Sequence, residues 1–475
     1  MDATGYTYKE TLIFGAGLAG LAAGYALTRS GRDTLVLESN EGVGGLARTV
    51  DHHGFRFDLG GHRFITNQAN IENLVRDLLQ DETLSVRRSS KILLREKYFD
   101  YPLKPMNAFV GLGLPTTLGI LFDYGAQQLK GRFADRRMVS LEDWVVRHYG
   151  RRLFDIFFKQ YSEKIWGIDC SRICMEWVEQ RIQGLSLKQA IQNAVFKSAR
   201  PGQRTLANQF VYPSLGIGRI AERLAETIAA DNEIHTGSRI VRINHSDDSI
   251  KNVVVRNGDQ TRGYSGAHFI SSIPITTLVQ LLHPLPPADV LEAASRLQYR
   301  DLVLVTIMLN RERVTDQTWI YIPEPHIRFG RIHEPTNWSA RMAPAGKTLL
   351  VTEHFCFRGD ATWSASDKAL TEGTVADLVR LGLIQRHEVI GSVVVRIPRA
   401  YPLFELGYRE HHDRISEYLG RFGNLDLIGR AGKFKYYNMD HAIESGLAVA
   451  ARLVDRLSDV RQAAGKRLAA TGTDA

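Results

Sequence analysis

Residues 11–66 restrict what this chain can fold into more than any other stretch. An apolar run, Thr11-Leu12-Ile13-Phe14, reads as a short buried parallel strand. Gly15-Ala16-Gly17-Leu18-Ala19-Gly20 follows at once. Residues 21–27 read as a helix, ended by Gly31-Arg32-Asp33. A second apolar run, residues 34–37, stops at Glu38. Strand, glycine turn, helix, strand and acid is the order a dinucleotide-binding βαβ unit requires. Gly15 permits the tight turn, Gly17 lets the backbone approach a pyrophosphate, and Gly20 lets the helix lie close to the strand. The helix N-terminus offers N–H groups and partial positive charge to phosphates. Glu38, about 20 residues past the glycines, is placed to bind ribose hydroxyls.

A second glycine turn comes next, Glu41-Gly42-Val43-Gly44-Gly45-Leu46-Ala47-Arg48-Thr49. It resembles the signature of FAD-binding oxidoreductases of the glutathione-reductase-like superfamily. The resemblance implies FAD, with Gly44 and Gly45 running along the flavin side of the pyrophosphate and Arg48 matching the arginine there. Phe57-Asp58-Leu59-Gly60-Gly61-His62-Arg63-Phe64 resembles the segment that passes the isoalloxazine in amine oxidases, protoporphyrinogen oxidases and UDP-galactopyranose mutases. The mutase version has a histidine in a similar place, so Gly61 and His62 are candidates for the flavin edge.

A chain of 475 residues suits two or three domains. Its hydrophobic fraction of 44% and charged fraction of 24% are those of a soluble globular protein. The net charge of +8 is scattered apart from pairs such as Arg136-Arg137 and Arg151-Arg152. Such a charge reads either as an ordinary solvated basic surface or as one that attracts an anionic small substrate. No basic stripe with interleaved aromatics points to nucleic acid. Cys170, Cys174 and Cys356 form neither a zinc motif nor a C-x-x-C pair, so no metal is expected and a reduced, cytoplasmic protein is. Residues 1–10 are polar and read as no signal peptide. No apolar stretch is long enough to span a bilayer. The nearest, residues 106–121, is broken by Pro115 and reads as a buried helix rather than one lying on a membrane. Residues 463–475 read as a disordered tail. No motif fixes the oligomeric state, and a homodimer stays open.

The expected class is α/β. An FAD-binding Rossmann-like (glutathione-reductase-type) domain is built from residues 1–105, 206–297 and 401–465. Residues 106–205 form a helical insertion, and residues 298–400 a substrate-binding β-sheet domain. Within this plan residues 71–79 read as a helix, and 86–88 and 91–95 as strands. Gly216 and Gly218 open a helix. Residues 233–244 and 249–256 read as one β-hairpin, and 269–274 as a strand stopped by Pro274. Strands are expected at 302–309, 319–322, 329–332, 348–355, 391–397 and 425–429, and a helix at 439–457.

Two segments resemble UDP-galactopyranose mutase more closely. In the first, a phenylalanine-rich helix leads to Tyr161-Ser162-Glu163-Lys164-Ile165-Trp166, against Tyr-Thr-x-Lys-x-Trp in the mutases. There the tyrosine stacks on uracil and the tryptophan lies on a mobile loop near the sugar, which makes Tyr161 and Trp166 substrate-binding candidates. The second is Gly429-Arg430-Ala431-Gly432-Lys433-Phe434-Lys435-Tyr436-Tyr437-Asn438-Met439, against Gly-Arg-Leu-x-x-Tyr-x-Tyr-x-Asp-Met. The resemblance implies that Gly429, Arg430, Asn438 and Met439 meet the flavin and that Arg430 and Tyr436 meet the diphosphate. Tyr401-Pro402 and Tyr408 resemble the mutase Tyr-Pro stretch, which makes Tyr401 and Tyr408 substrate-binding candidates, and Gly330-Arg331-Ile332-His333-Glu334 resembles its Arg-Ile-x-Glu strand.

The sequence departs from the family at Asn438, where the mutases carry Asp. It departs again at Arg181-Ile182-Gln183-Gly184-Leu185, where a second phosphate-binding arginine is missing. Residues 271–278 look more like protoporphyrinogen and amine oxidases. Two activities are therefore expected as alternatives. One is a mutase-like isomerisation of a nucleotide-diphosphate sugar, with reduced flavin N5 as nucleophile and Arg430, Tyr436, Arg331 and His62 as the catalytic set. The other is an FAD-dependent oxidase or dehydrogenase taking hydride from a C–H bond beside nitrogen or oxygen.

Overall fold

The computed structural model describes residues 5–101, 105–130, 138–176 and 209–471. Its opening strand, Thr7–Phe14, buries its last four residues. Leu12 pairs in parallel with Leu35 on one side and with Phe269 on the other. Such double burial suits an unbroken apolar run. An eight-stranded mixed sheet grows from this centre. Its order is Leu282–His283, Arg239–Ser246, Ser249–Asn257, Gln260–Ser271, Thr7–Phe14, Thr34–Leu37 and Glu233–His235, with Leu425–Leu427 also pairing with Gln260–Ser271. The helix Leu18–Arg29 packs between the helices Gly218–Ala229 and Met439–Thr471 on one face of this sheet.

A second, seven-stranded sheet runs Val389–Pro402, Tyr299–Leu309, Thr348–Cys356, Arg331–His333, Trp319–Tyr321, Ser90–Leu94 and Lys97–Asp100. Tyr299–Leu309 is buried along its whole length because both faces are covered. Val303, Val305 and Ile307 meet Phe329, Leu370 and Leu378 on one side. Leu302, Leu304 and Met308 meet Phe55, Phe57 and Leu59 on the other. The second contact presses the segment leading to His62 against the second sheet.

Several expectations are corrected. Residues 233–244 are not one arm of a hairpin. Glu233–His235 pairs with Thr34–Leu37, and the chain then turns at Gly237, whose φ is +61°. Arg239–Ser246 alone makes the hairpin with Ser249–Asn257. Ser90–Leu94 and Lys97–Asp100, expected in the cofactor domain, extend the second sheet through Trp319–Tyr321.

The expected buried helix at 106–121 is two helices, Pro105–Leu112 and Leu114–Lys130. Between them Gly113 adopts a φ of +79°. Four-residue spacing places Leu114, Leu118 and Phe122 on one outward face, with Phe122 81% exposed. The last helix runs to Thr471, across most of the tail expected to be disordered. The 181–185 departure, the Arg136-Arg137 pair and the end of the helical insertion lie outside the described residues. Among the described residues all three cysteines are free, and no helix is long and apolar enough to cross a membrane.

Candidate active site

The first glycine turn forms a cleared cradle. Gly15 has a φ of +94°, and a Cβ there would lie 2.5 Å from Ser272 Oγ. A Cβ at Gly20 would run into the Gly15 carbonyl oxygen, so the helix can seat on the turn only with glycine there. At Gly17, by contrast, nothing lies within 4 Å of a Cβ position. No side chain caps the helix that begins at Leu18. Its first N–H groups therefore face open space, as anion binding requires.

The second turn closes one side of the cradle. Gly44 N donates to Ala16 O at 2.7 Å, and a Cβ on Gly45 would lie 3.2 Å from Gly17 Cα. Glu38 is buried at the end of Thr34–Leu37. It accepts from Ala16 N at 2.8 Å and from Asn40 N and Nδ2 at 2.8 and 2.7 Å. Arg48 lies half-buried beside Gly42. The cleared backbone, the uncapped helix end and the adjacent guanidinium fit the diphosphate of FAD, with Glu38 at the ribose end.

Beyond the cradle, a tight turn aims His62. Gly60 N donates to Asp58 O and His62 N to Gly60 O, at 2.7 and 2.8 Å. The Nδ1 atom of His62 is buried without a hydrogen-bond partner. Burial, then the Arg430 and Arg331 charges, push the His62 pKa down to about 4, so the imidazole is neutral at pH 7.

Glu353 braces this turn from below. It is 0% exposed, accepts from Gly61 N at 3.0 Å and holds Arg331 Nη2 at 2.6 Å. Burial works most strongly against the Arg331 charge, but Glu353 together with Tyr161, Tyr401 and Tyr321 outweighs it and the net shift is upward. Arg331 Nε is buried and unpartnered. His333 stacks on Trp338 with centroids 5.0 Å apart. Burial and then Arg331 push its pKa down to about 3. Neither Glu353 nor His333 was among the sequence candidates. Glu353 is the one acid in Thr348–Cys356, a strand that also carries two threonines and a histidine.

Arg430 sits across two tyrosine rings. Its Cζ lies 5.5 Å from the Tyr401 centroid and 5.2 Å from that of Tyr436, and the two rings are 6.2 Å apart at 14°. Arg430 Nε donates to Tyr437 O at 2.7 Å and Nη1 to Ala400 O at 3.3 Å. Trp166 meets Tyr401 and Tyr436 edge-on at 6.3 and 6.2 Å. Tyr161 meets Tyr321 edge-on at 5.5 Å. Burial raises the pKa of both Tyr161 and Tyr401, so each keeps its hydroxyl proton. Gly429 ties this group to the cradle. Its φ is +72°, its N donates to Ser445 Oγ at 3.2 Å, and a Cβ there would lie 2.8 Å from Ala19 Cβ.

The structure thus gathers His62, Gly61, Arg331, Arg430, Tyr401, Tyr436, Tyr161 and Trp166 beyond one end of the glycine cradle. Tyr408 does not join them. Its hydroxyl donates to Glu176 at 2.5 Å, and its ring packs on Phe404 at 5.0 Å, behind Tyr436. Tyr408 was expected among the substrate-binding residues, and the structure does not bring it to them. Asn438 is exposed, and its carbonyl accepts from Ala442 N as the last helix begins. Met439 is half-buried against the core around the glycine helix. Trp166 is not on a loop, because it ends the helix Gln160–Trp166 and is 4% exposed. Among the described residues no cluster of His, Cys, Asp or Glu could hold a metal ion.

The family described as flavin containing amine oxidoreductase matches residues 18–454. The chain belongs to that family. This amine oxidoreductase family member is thus a flavoenzyme, and its cofactor is FAD. Its fold is similar to that of reduced UDP-galactopyranose mutase, with a TM-score of 0.81, 21% identity and 94% of each chain covered. It is also similar to putrescine oxidase bound to putrescine, with a TM-score of 0.65, 16% identity, and 95% of this chain and 100% of that one covered. A stretch of 56 residues is 41% identical to 1-hydroxycarotenoid 3,4-desaturase from a Flavobacterium, and one of 68 residues is 38% identical to an L-amino acid oxidase of Crotalus durissus cumanensis. These stretches span only 12% of the desaturase and 14% of the oxidase.

Proposed function

We propose that this flavoenzyme isomerises a nucleotide-diphosphate sugar. One observation carries the reading: Arg430 lies over two stacked tyrosines, and both its own charge and that of Arg331 reach His62. Its hydrogen bonds go to backbone carbonyls, so its charge is not spent on a carboxylate. A guanidinium beside two phenol rings suits a diphosphate.

FAD, when bound and reduced, supplies a nucleophilic nitrogen without net redox change. The chain's own residues do the rest. Arg430, Tyr401 and Tyr436 hold the diphosphate and stabilise the charge that gathers on it as it leaves. Arg331, fixed by Glu353, adds a second positive centre. His62 stays neutral at the flavin edge and offers a hydrogen-bonding nitrogen without a further charge. Tyr161 offers an aromatic face to the base, and Trp166 walls the sugar end. A cytoplasmic setting in polysaccharide or natural-product glycosylation belongs to the same reading.

The second reading, an amine-type oxidase, draws on the family match and the likeness to putrescine oxidase. The Arg430 and Arg331 charges, which add to burial in keeping His62 neutral, count against a cationic amine in the same place. The test is anaerobic. Dithionite-reduced protein is incubated with a panel of UDP-, GDP- and TDP-sugars and the products are resolved. A sugar isomer formed while the flavin stays reduced supports the proposal. Turnover seen only with amines and O₂, with peroxide released, sinks it.

A further inference from the structure

We infer that Arg300 is a positioning residue, which clamps the helix carrying Tyr161 and Trp166 onto the second sheet and so fixes the aromatic wall of the pocket. The inference rests on the reading that this wall faces the nucleotide sugar.

Arg300 lies in Tyr299–Leu309, opposite Tyr401 in the strand register, and is 5% exposed. A buried guanidinium is costly unless its donors are used. Here they are used on backbone. Nε donates to Ile165 O at 2.8 Å, and Nη2 donates to Lys164 O at 3.4 Å and to Phe355 O at 3.0 Å. Two of these carbonyls lie in the last turn of Gln160–Trp166, where helix carbonyls lack partners and carry partial negative charge. The guanidinium also stacks on Phe357, with Cζ 4.2 Å from the ring centroid. One side chain thus joins the helix end to two strands of the sheet.

Gly167 is shaped to admit this clamp. It ends the helix with a φ of +71°. A Cβ there would lie 2.6 Å from Arg300 Cζ and 2.7 Å from Phe357. Glycine is therefore needed both for the backbone and for the approach of the arginine. Lys164 adds a second tether, donating to Ile322 O and Glu324 O at 2.9 Å each. Held at its end and along its flank, the helix presents Trp166 to Tyr401 and Tyr436 at a fixed distance. Arg430 lies over those same two rings. Displacing Trp166 would therefore disturb the phosphate-binding group as well.

The test uses FAD-loaded protein labelled with 5-fluorotryptophan, and Trp166→Phe assigns the ¹⁹F resonance of Trp166. Arg300→Met and Gly167→Ala are expected to keep a wild-type flavin-to-protein ratio, yet to shift or split that resonance. Arg300→Lys should return it toward the wild-type position. UDP, titrated against the flavin spectrum, should bind about tenfold more weakly to Arg300→Met than to wild type. An unchanged Trp166 resonance in Arg300→Met, or in Gly167→Ala if Arg300→Met does not fold, overturns the inference. So does a displaced Trp166 with undiminished UDP affinity. Wild-type protein that binds no nucleoside diphosphate contradicts the substrate reading instead, and the resonance then decides the clamp by itself.

Discussion

At the residue scale the site is organised by positive charge. Burial holds the His62 pKa down most strongly, and the Arg430 and Arg331 charges add to it. The linkage sign follows directly. The folded pKa of His62, about 4, lies below the ordinary value of 6.5, so the unfolded chain binds more protons between those values. The resulting stability is complete above pH 6.5 and is lost as pH falls toward 4. His333 and His354, each held down to about 3, act in the same direction. Asp58, buried and raised to about 6, opposes them over part of the window. His62→Gln should therefore flatten the fall in Tm between pH 6.5 and 4, read by thermal melts across that range. A fall as steep as wild type would contradict the His62 assignment. Motif spacing made His62, Arg331, Arg430 and Tyr436 legible in the sequence. Glu353 and Arg300 were not, because their partners Gly61, Lys164 and Ile165 lie far away in sequence. Tyr408 misled for the opposite reason: its motif is local, while its partner Glu176 is 232 residues away in sequence.

At the element scale the glycine turns do unlike work that one spacing rule hides. Gly20 is needed for the helix to seat, whereas Gly17 faces open space. Gly17→Ala should therefore fold with a near-wild-type circular dichroism spectrum but hold FAD at least about tenfold more weakly, because its methyl occupies the phosphate path. Gly20→Ala should yield little folded protein of any colour. Flavin content and circular dichroism of the two variants check this, and equal flavin retention in both would contradict it. The opening βαβ unit was readable because its strands are buried on both faces and its punctuation is glycine. The split at Gly237 was missed because two short apolar runs on either side of a turn look like one arm. The register of Glu233–His235 is set by Thr34–Leu37, far away in sequence.

At the scale of the whole molecule two sheets meet around the cofactor path. The second sheet packs on the segment leading to His62, and Gly429 returns the last motif to the glycine helix. FAD held along that path would be gripped by residues of both sheets. Stripping FAD should lower stability by about 2.7 kcal/mol relative to protein at a hundredfold excess of FAD over Kd, read as a fall in Tm that added FAD reverses. A Tm indifferent to FAD would contradict this arrangement. The outward apolar face of Leu114–Lys130 was read as buried because hydropathy alone does not say which side of a helix finds a neighbour.

Under the proposed function, Arg430 and its two tyrosines receive a nucleoside diphosphate beside the flavin. Titration of UDP, GDP and TDP into oxidised, FAD-loaded protein, followed through the flavin absorption bands, tests it most directly. At least one nucleotide should produce a saturable change, and Arg430→Ala should abolish that change while remaining yellow. An unperturbed flavin with all three nucleotides, or an Arg430→Ala variant that binds them as tightly as wild type, would contradict it.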